Sequence, residues 1–252
     1  MGTRHVRTVG WIKMLFAAVG LTATVAGAET IVVYGASGRV GEVIVDEALQ
    51  RGHDVVGVSR NPDSLAIEAP NFSAVQGDVT SLESMLEIIT GVDAVVITVR
   101  GIGPGNTPEE TVTSIAAETF VEAAGVLGEG APRVIQVGGG TTLRIDGVYG
   151  FDNPEIEPGT AQHGNAFGHW RAIEIYGAAD GLQWAVLTPP PGGMNPGASG
   201  ERTGDYRLGG EDVLYDAAGD SAITMADFAV AVVDEAERPQ ALNRRAAVGP
   251  PE

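Results

Sequence analysis

The feature that most constrains this chain is a seven-residue turn, Gly35-Ala36-Ser37-Gly38-Arg39-Val40-Gly41. It lies between an apolar run, Thr30 to Tyr34 (TIVVY), and an amphipathic stretch, Val40 to Gln50. Spaced glycines alone also end strands for purely structural reasons. With a buried-type strand before them and a helix after them, each has a separate task. Gly35 permits the tight turn, Gly38 lets the backbone approach a diphosphate, and Gly41 lets helix and strand pack closely. The start of the helix then offers free N–H groups and a partial positive charge to the phosphates. Ser37, Arg39 and Val40 fill the positions between. The turn therefore reads as the phosphate loop of a dinucleotide site.

The end of the second strand bears on which dinucleotide. An Asp or Glu there would accept hydrogen bonds from a ribose 2′-hydroxyl and favour NAD. This chain instead has Ser59-Arg60-Asn61-Pro62. A guanidinium matches a 2′-phosphate bidentately, and Arg39 is near enough in sequence to assist. NADP(H) is thus preferred, with NAD(H) possible; the competing account makes Arg60 a solvated loop charge. Gly77-Asp78-Val79 follows the third strand, where an aspartate can reach an adenine amino group or simply close a turn.

From Thr30 onward strand and helix alternate, which predicts an α/β fold: a Rossmann-like, doubly wound, mostly parallel sheet with helices on both faces. Strands are expected at Thr30 to Tyr34, Asp54 to Ser59, Ser73 to Gln76, Ala94 to Thr98, Arg133 to Val137, Trp184 to Leu187 and Ala246 to Val248. Helices are expected at Val40 to Gln50, from a Ser81 cap through Ile89, and at Pro108 to Leu127, Trp170 to Ala179 and Thr224 to Glu237. At 252 residues, with 44% hydrophobic residues, residues 29–252 fit a single NAD(P)-binding domain. The Gly/Pro-rich stretches Gly101 to Gly105 and Pro189 to Gly200 follow the fourth and sixth strands. Their position at strand carboxyl ends suits a substrate rim better than a linker.

Ahead of the first strand lies a basic start, with Arg4, Arg7 and Lys13, then an uncharged run from Met14 closing on Ala26-Gly27-Ala28. This is a secretory signal pattern with cleavage expected after Ala28, and it falls short of the ~20 residues that span a bilayer. It predicts a periplasmic or secreted protein without a permanent membrane anchor, or a cytoplasmic one if the leader is inactive. Lys13 is the only lysine, and the formal charge is −18. Such a surface repels phosphate backbones, which argues against nucleic acid as a partner and leaves a small molecule. No cysteine is present, so thiolate catalysis is excluded.

Catalytic residues are harder to find. A Tyr-x-x-x-Lys pair is impossible without a lysine after Lys13, which makes Tyr149 and Tyr176 packing residues by default. After the fifth strand the chain reads Gly138-Gly139-Gly140-Thr141-Thr142. His53 is expected at the surface. His163 and His169 lie six apart in a Gly-rich stretch with no acid cluster, an unsuitable spacing for a metal. His169, expected at the start of a helix beside Trp170 and Arg171, is the better acid/base candidate, because imidazole titrates near neutral pH. A capping role competes.

These segments carry a family resemblance. IVVYGASGRVGEVIVDEALQRGHDVVGVSRNPDSL, AVQGDVT and GVDAVV resemble the atypical short-chain dehydrogenases of the NAD(P)H-binding, NmrA-like group. LQWAVLTPP, the segment from Gly200 to Pro239 and the closing RRAAVG are similar to its NADH-flavin reductase branch and, more distantly, to biliverdin-IXβ/flavin reductase. The resemblance implies a monomeric or loosely oligomeric Rossmann protein using NADP(H). It places Gly35, Ser37, Gly38, Arg39, Val40 and Gly41 at the phosphates, Arg60 at the 2′-phosphate and Asp78 with Val79 at the adenine. Thr98 and Val99 fall at the strand end beside the nicotinamide ribose, and His169 with Arg171 near a His-x-Arg. The chain departs from the branch in its leader, in TTLRIDGVYGFDNPEIEPG after the fifth strand, and in Pro189-Pro190-Pro191. The implied activity is an NAD(P)H-dependent reductase of a flavin, quinone or similar conjugated acceptor. A non-catalytic NADP(H) sensor and a cofactor-assisted isomerase or epimerase are the alternatives.

Overall fold

The computed structural model describes residues 27–103, 105–191, 194 and 201–252. The expected leader lies outside the described residues except for its last two positions.

Apolar β-branched runs form the centre of the sheet. Strands β1 (Thr30–Tyr34), β2 (Asp54–Ser59), β3 (Phe72–Gln76), β4 (Ala94–Ile97), β5 (Arg133–Val137), β8 (Trp184–Thr188) and β10 (Arg244–Gly249) pair in parallel, in the order β3-β2-β1-β4-β5-β8-β10. The two-residue β9 (Arg207–Leu208) closes the edge antiparallel to β10. Every residue of β4 and β8 is buried, as a parallel sheet covered on both faces requires. Helices α1 (Arg39–Gln50) and α5 (Met225–Glu237) pack on one face, burying Ile44, Val45, Phe228 and Val232. Helices α2 (Leu82–Ile89), α3 (Val112–Leu127) and α4 (Ala161–Ala178) cover the other with Met85, Phe120 and Tyr176. The expected doubly wound sheet is therefore present. The strand order reverses between β1 and β4, the position at which such sheets open a ligand crevice.

Local differences from expectation have physical causes. The run expected as one helix from Pro108 breaks at Thr111: Pro108–Glu110 forms a 3-10 turn, and Thr111 caps α3 by accepting from Ser114 N–H at 3.1 Å. Helix α4 starts at Ala161, not Trp170, so both His163 and His169 are helical. Its Gly164 and Gly168 are close-packing residues rather than loop residues. A Cβ on Gly168 would sit 2.5 Å from Thr111 Cγ2, and one on Gly164 2.5 Å from Asn106 O. A small hairpin, β6 (Arg144–Ile145) and β7 (Val148–Tyr149), turns at Asp146 and Gly147, both with positive φ. That is the Asp-Gly geometry of a tight hairpin.

His53, expected at the surface, is only 2% exposed. Its Nδ1 accepts from the Glu29 amide at 3.1 Å, so the ring proton lies on Nε2, 3.0 Å from Glu237 Oε1. Its partners come from both ends of the chain. Nearby, the segment at residues 201–206 is clamped to α1 and α5. Arg202 reaches buried Glu47 at 2.6 and 2.8 Å, and buried Asp227 receives Thr203 and Gly204.

Candidate nucleotide and substrate site

The glycine turn leaves β1 at the switch point. Gly35 has φ +81, and its amide donates to Val58 O at 3.2 Å. A Cβ there would lie 2.6 Å from Thr98 O, so the ends of β1 and β4 touch only because position 35 is bare. On Gly41 a Cβ would run into the Gly35 carbonyl oxygen and lie 2.9 Å from Ala36 Cα. Helix α1 consequently starts pressed against the turn.

Its N-terminus differs from those of the other helices. Ser81, Thr111, Thr160 and Thr224 cap α2 to α5 through their side chains, whereas Gly38 offers α1 none. The first paired amide is Glu42 N–H, on Gly38 O at 2.8 Å. Among the described residues the amides of Arg39, Val40 and Gly41 have no partner. Unpaired N–H groups at a helix start favour an anion. The turn thus fits the diphosphate of a dinucleotide on its own geometry.

The other expected cofactor residues gather around it. Ser37 Oγ is 3.3 Å from Ser59 Oγ, which brings the turn against the end of β2, where Arg60 follows. Arg39 and Arg60 are exposed and make no ion pair among the described residues. Gln76 binds Arg60 O at 3.3 Å, holding the β2 and β3 ends together. Asp78 Oδ1 accepts from Thr80 Oγ1 (2.7 Å) and Thr80 N–H (2.9 Å). These bonds, with the Arg60 charge, hold its carboxyl below the usual value, so Asp78 closes a turn, with Oδ2 unbonded among the described residues. Val79 is buried in the core beneath this corner. Thr98 N–H continues the ladder to Tyr34 O at 3.0 Å, and Val99 O accepts from Thr113.

Beyond Val99 a cavity of about 560 Å³ opens between the carboxyl ends of β4 and β5 and one face of α4. Its lining includes Arg100, Ile102, Thr141, Gln162, Asn165 and His169. A smaller hollow of about 340 Å³, bordered by Asp93, Arg133 and Gln183, lies at the opposite end of the strands, away from the glycine turn. Sequence reasoning named the Gly101 to Gly105 rim and the Gly138 to Thr142 segment but not Arg100, Gln162 or Asn165. Only the length of α4 reveals that the last two share a face with His169.

His169 packs its ring on Gly139, where a Cβ would approach Cδ2 at 2.5 Å, and its Nδ1 is shut from solvent without a partner. Removal from water pulls its pKa down to about 4. It is therefore a neutral imidazole at physiological pH, able to accept a proton or share a hydrogen bond but not to supply a proton as imidazolium. The shift also couples to stability. The unfolded chain takes up a proton near pH 6.5 and the native one only near 4, so stability should fall as pH drops through that window. A His169→Gln chain should show a flatter slope of unfolding free energy between pH 6.5 and 4; an unchanged slope would contradict the burial of this ring.

The remaining candidates lie elsewhere. Arg171 turns to α3, pairing with Glu118 at 2.7 Å. Tyr176 is buried, donates to Gln136 Oε1 at 2.6 Å and has its pKa pushed upward by burial. Tyr149 donates to Glu211. Among the described residues no group of acids and histidines is arranged to hold a metal.

Comparison with known proteins agrees with a nucleotide-binding fold of this kind. A family profile described as NAD(P)H-binding matches residues 35–239. A Bacteroides thetaiotaomicron structure provisionally named an epimerase is 30% identical, with a TM-score of 0.73, over 89% of this chain and 98% of its own. A Burkholderia pseudomallei structure provisionally named an exported protein is 28% identical, with a TM-score of 0.68, over 88% and 99%. A Streptococcus pneumoniae structure provisionally named an NADH-flavin reductase is 26% identical, with a TM-score of 0.70, over 89% and 100%.

Proposed function

The chain belongs to the NAD(P)H-binding family, and on that footing we propose that it is an NADPH-dependent reductase of a flavin, quinone or similar conjugated acceptor. In this reading residues 29–252 form one nucleotide-binding domain, the turn from Gly35 to Gly41 holds the diphosphate, and Arg39 and Arg60 take the 2′-phosphate. Bound NADPH supplies a hydride to the acceptor, which takes its balancing proton from water. The observation that carries the choice of acceptor is that no general acid lines the cavity among the described residues. His169 is neutral, Tyr176 is buried on Gln136, and no lysine stands in the described residues. A simple ketone needs an acid to protonate its developing alkoxide. A flavin or quinone spreads the incoming charge over its ring, so the protein supplies orientation and the exclusion of water. NADPH oxidation against a panel of flavins and quinones tests this; a cofactor-loaded protein that turns over none of them would refute it.

The neutral His169 imidazole favours a second reading, an epimerase in which that ring removes a proton. The name of the Bacteroides relative points the same way. Proton exchange into a candidate substrate without net NADPH consumption would select it.

Cofactor choice has its own test. Losing a charge-assisted hydrogen bond costs about 1.5–3 kcal/mol. Arg39→Ala with Arg60→Ala should therefore weaken NADPH binding by a factor on the order of 100 while leaving NADH binding nearly unchanged. Equal loss for both would place the arginines elsewhere. We also propose export, supported by the leader pattern and by the name of the Burkholderia relative. Protein recovered from its host should begin at Glu29 by mass; an intact Met1 to Ala28 segment would sink that proposal.

A further inference from the structure

The described arginines divide in a way that the cofactor reading does not fully absorb. Eight of them reach carboxylates. Arg244 is held by the carbonyls of Gly209 and Gln240. Three make no ion pair or side-chain hydrogen bond among the described residues: Arg39, Arg60 and Arg100. All three stand at the carboxyl end of the sheet, on a chain of formal charge −18. Arg39 and Arg60 flank the joined ends of β1 and β2. Arg100 lies on the other side of Thr98 and Val99, where it lines the cavity between β4 and β5.

Among the described residues that cavity wall contains no carboxylate. Beside Arg100 it is lined by Gln162, Thr141, Asn165 and the uncharged His169, whose buried Nδ1 has no partner among the described residues. An arginine without an ion-pair partner among the otherwise neutral residues that line a cavity keeps its field unopposed, and a partly enclosed cleft focuses that field. In a chain with 33 acidic residues, every other described guanidinium except those of Arg39 and Arg60 has found a carboxylate or carbonyl. The cavity therefore has a built-in counter-charge waiting for an anion.

We infer that Arg100 is a specificity-determining residue which selects acceptors bearing an acidic substituent, a carboxylate or a phosphate, and holds that substituent at the mouth of the cavity while the conjugated ring enters it. The inference deepens the reductase reading and rests on it for the identity of the ring. The acidic group would dock bidentately on the guanidinium, with Gln162 and Thr141 as neutral donors beside it.

Binding to NADP⁺-loaded protein tests this without turnover. Two matched pairs serve as probes: flavin mononucleotide against riboflavin, and a naphthoquinone propionate against its methyl ester, each titrated by calorimetry. The wild-type chain should bind the anionic member about tenfold or more tightly, the scale of one charge-assisted contact. Arg100→Ala should erase that preference, Arg100→Lys should restore part of it, and neither should alter NADP⁺ affinity. A preference confined to one pair identifies phosphate or carboxylate as the favoured group. Equal binding of both members, a preference that survives Arg100→Ala, no binding of either, or a parallel loss of NADP⁺ affinity each overturns the inference. If the preference appears but NADPH is never oxidised, the role of Arg100 stands and the reductase reading falls.

Discussion

A Gly41→Ala chain is expected to lose dinucleotide binding. The added Cβ would meet the Gly35 oxygen, with Gly35 C at 2.8 Å and Ala36 Cα at 2.9 Å, all of them backbone. None of these atoms can swing aside as a long side chain would. Gly35 cannot retreat either: its φ of +81 sets the turn, and the Thr98 carbonyl closes its other side. Helix α1 must lift from the turn or the turn must open, and both movements part the free amides of Arg39, Val40 and Gly41 from the position they share. Overpacking of this kind costs about 1–3 kcal/mol of stability. The loss in binding should be larger, at least about 100-fold in Kd for NADPH, because several phosphate contacts depend on one arrangement. Gly125→Ala is the matched control. It lies in α3 with open space where its Cβ would go, and helix propensity predicts a gain of about 0.5–1 kcal/mol with unchanged binding. Calorimetric titration with NADPH and thermal unfolding of both variants would decide. A Gly41→Ala protein that binds like the wild type would remove the basis for the phosphate loop.

The part of the molecule that this experiment probes is also the part most legible in the sequence, because every level of description agrees there. TIVVY is apolar and β-branched, position 35 needs a glycine for its φ, position 41 needs one for space, and α1 presents Ile44 and Val45 inward. The Ser81 cap was legible for the same reason, a polar side chain standing directly before an apolar helical run. Elsewhere local preference and tertiary need diverge. Gly164 and Gly168 weaken a helix judged alone, and only their contact with Asn106 and Thr111 explains why α4 runs through them. His53 looks like a polar residue at a strand entrance, yet its partner Glu237 is 184 positions away. The hairpin turning at Asp146-Gly147 went unread, because strands of two residues carry too little alternation to be recognised. Arg100 is the clearest case on the functional side. Nothing in its neighbours marks it, and it stands out only once the arginines away from the glycine turn are seen, among the described residues, to have found partners.

Asp227 gives the second large effect, this time on stability. It lies in the first turn of α5 at 4% exposure and gathers a shell of donors. Oδ1 accepts from the Thr203 and Gly204 amides, both at 2.8 Å, and Oδ2 from the hydroxyls of Thr203 at 3.0 Å and Thr224 at 2.9 Å. The helix start adds a favourable field for the negative charge. Asp227→Ala would leave two backbone amides facing an apolar methyl and release residues 201–206 from α5. Charge-assisted bonds are worth about 1.5–3 kcal/mol each, and water reaching the exposed side of the segment recovers a fraction. A net loss of about 3–5 kcal/mol follows, or roughly 10 °C in Tm at this chain length. Asp227→Asn keeps one acceptor oxygen toward the amides and should fall between the two. Neither change touches the turn at Gly35 to Gly41, so NADPH affinity below the transition should stay within about twofold of wild type, well under the tenfold that 1.4 kcal/mol would bring. A Tm within about 2 °C of wild type for Asp227→Ala would show that the clamp on residues 201–206 is held by its other contacts, Arg202 on Glu47 and Tyr206 on Asp234.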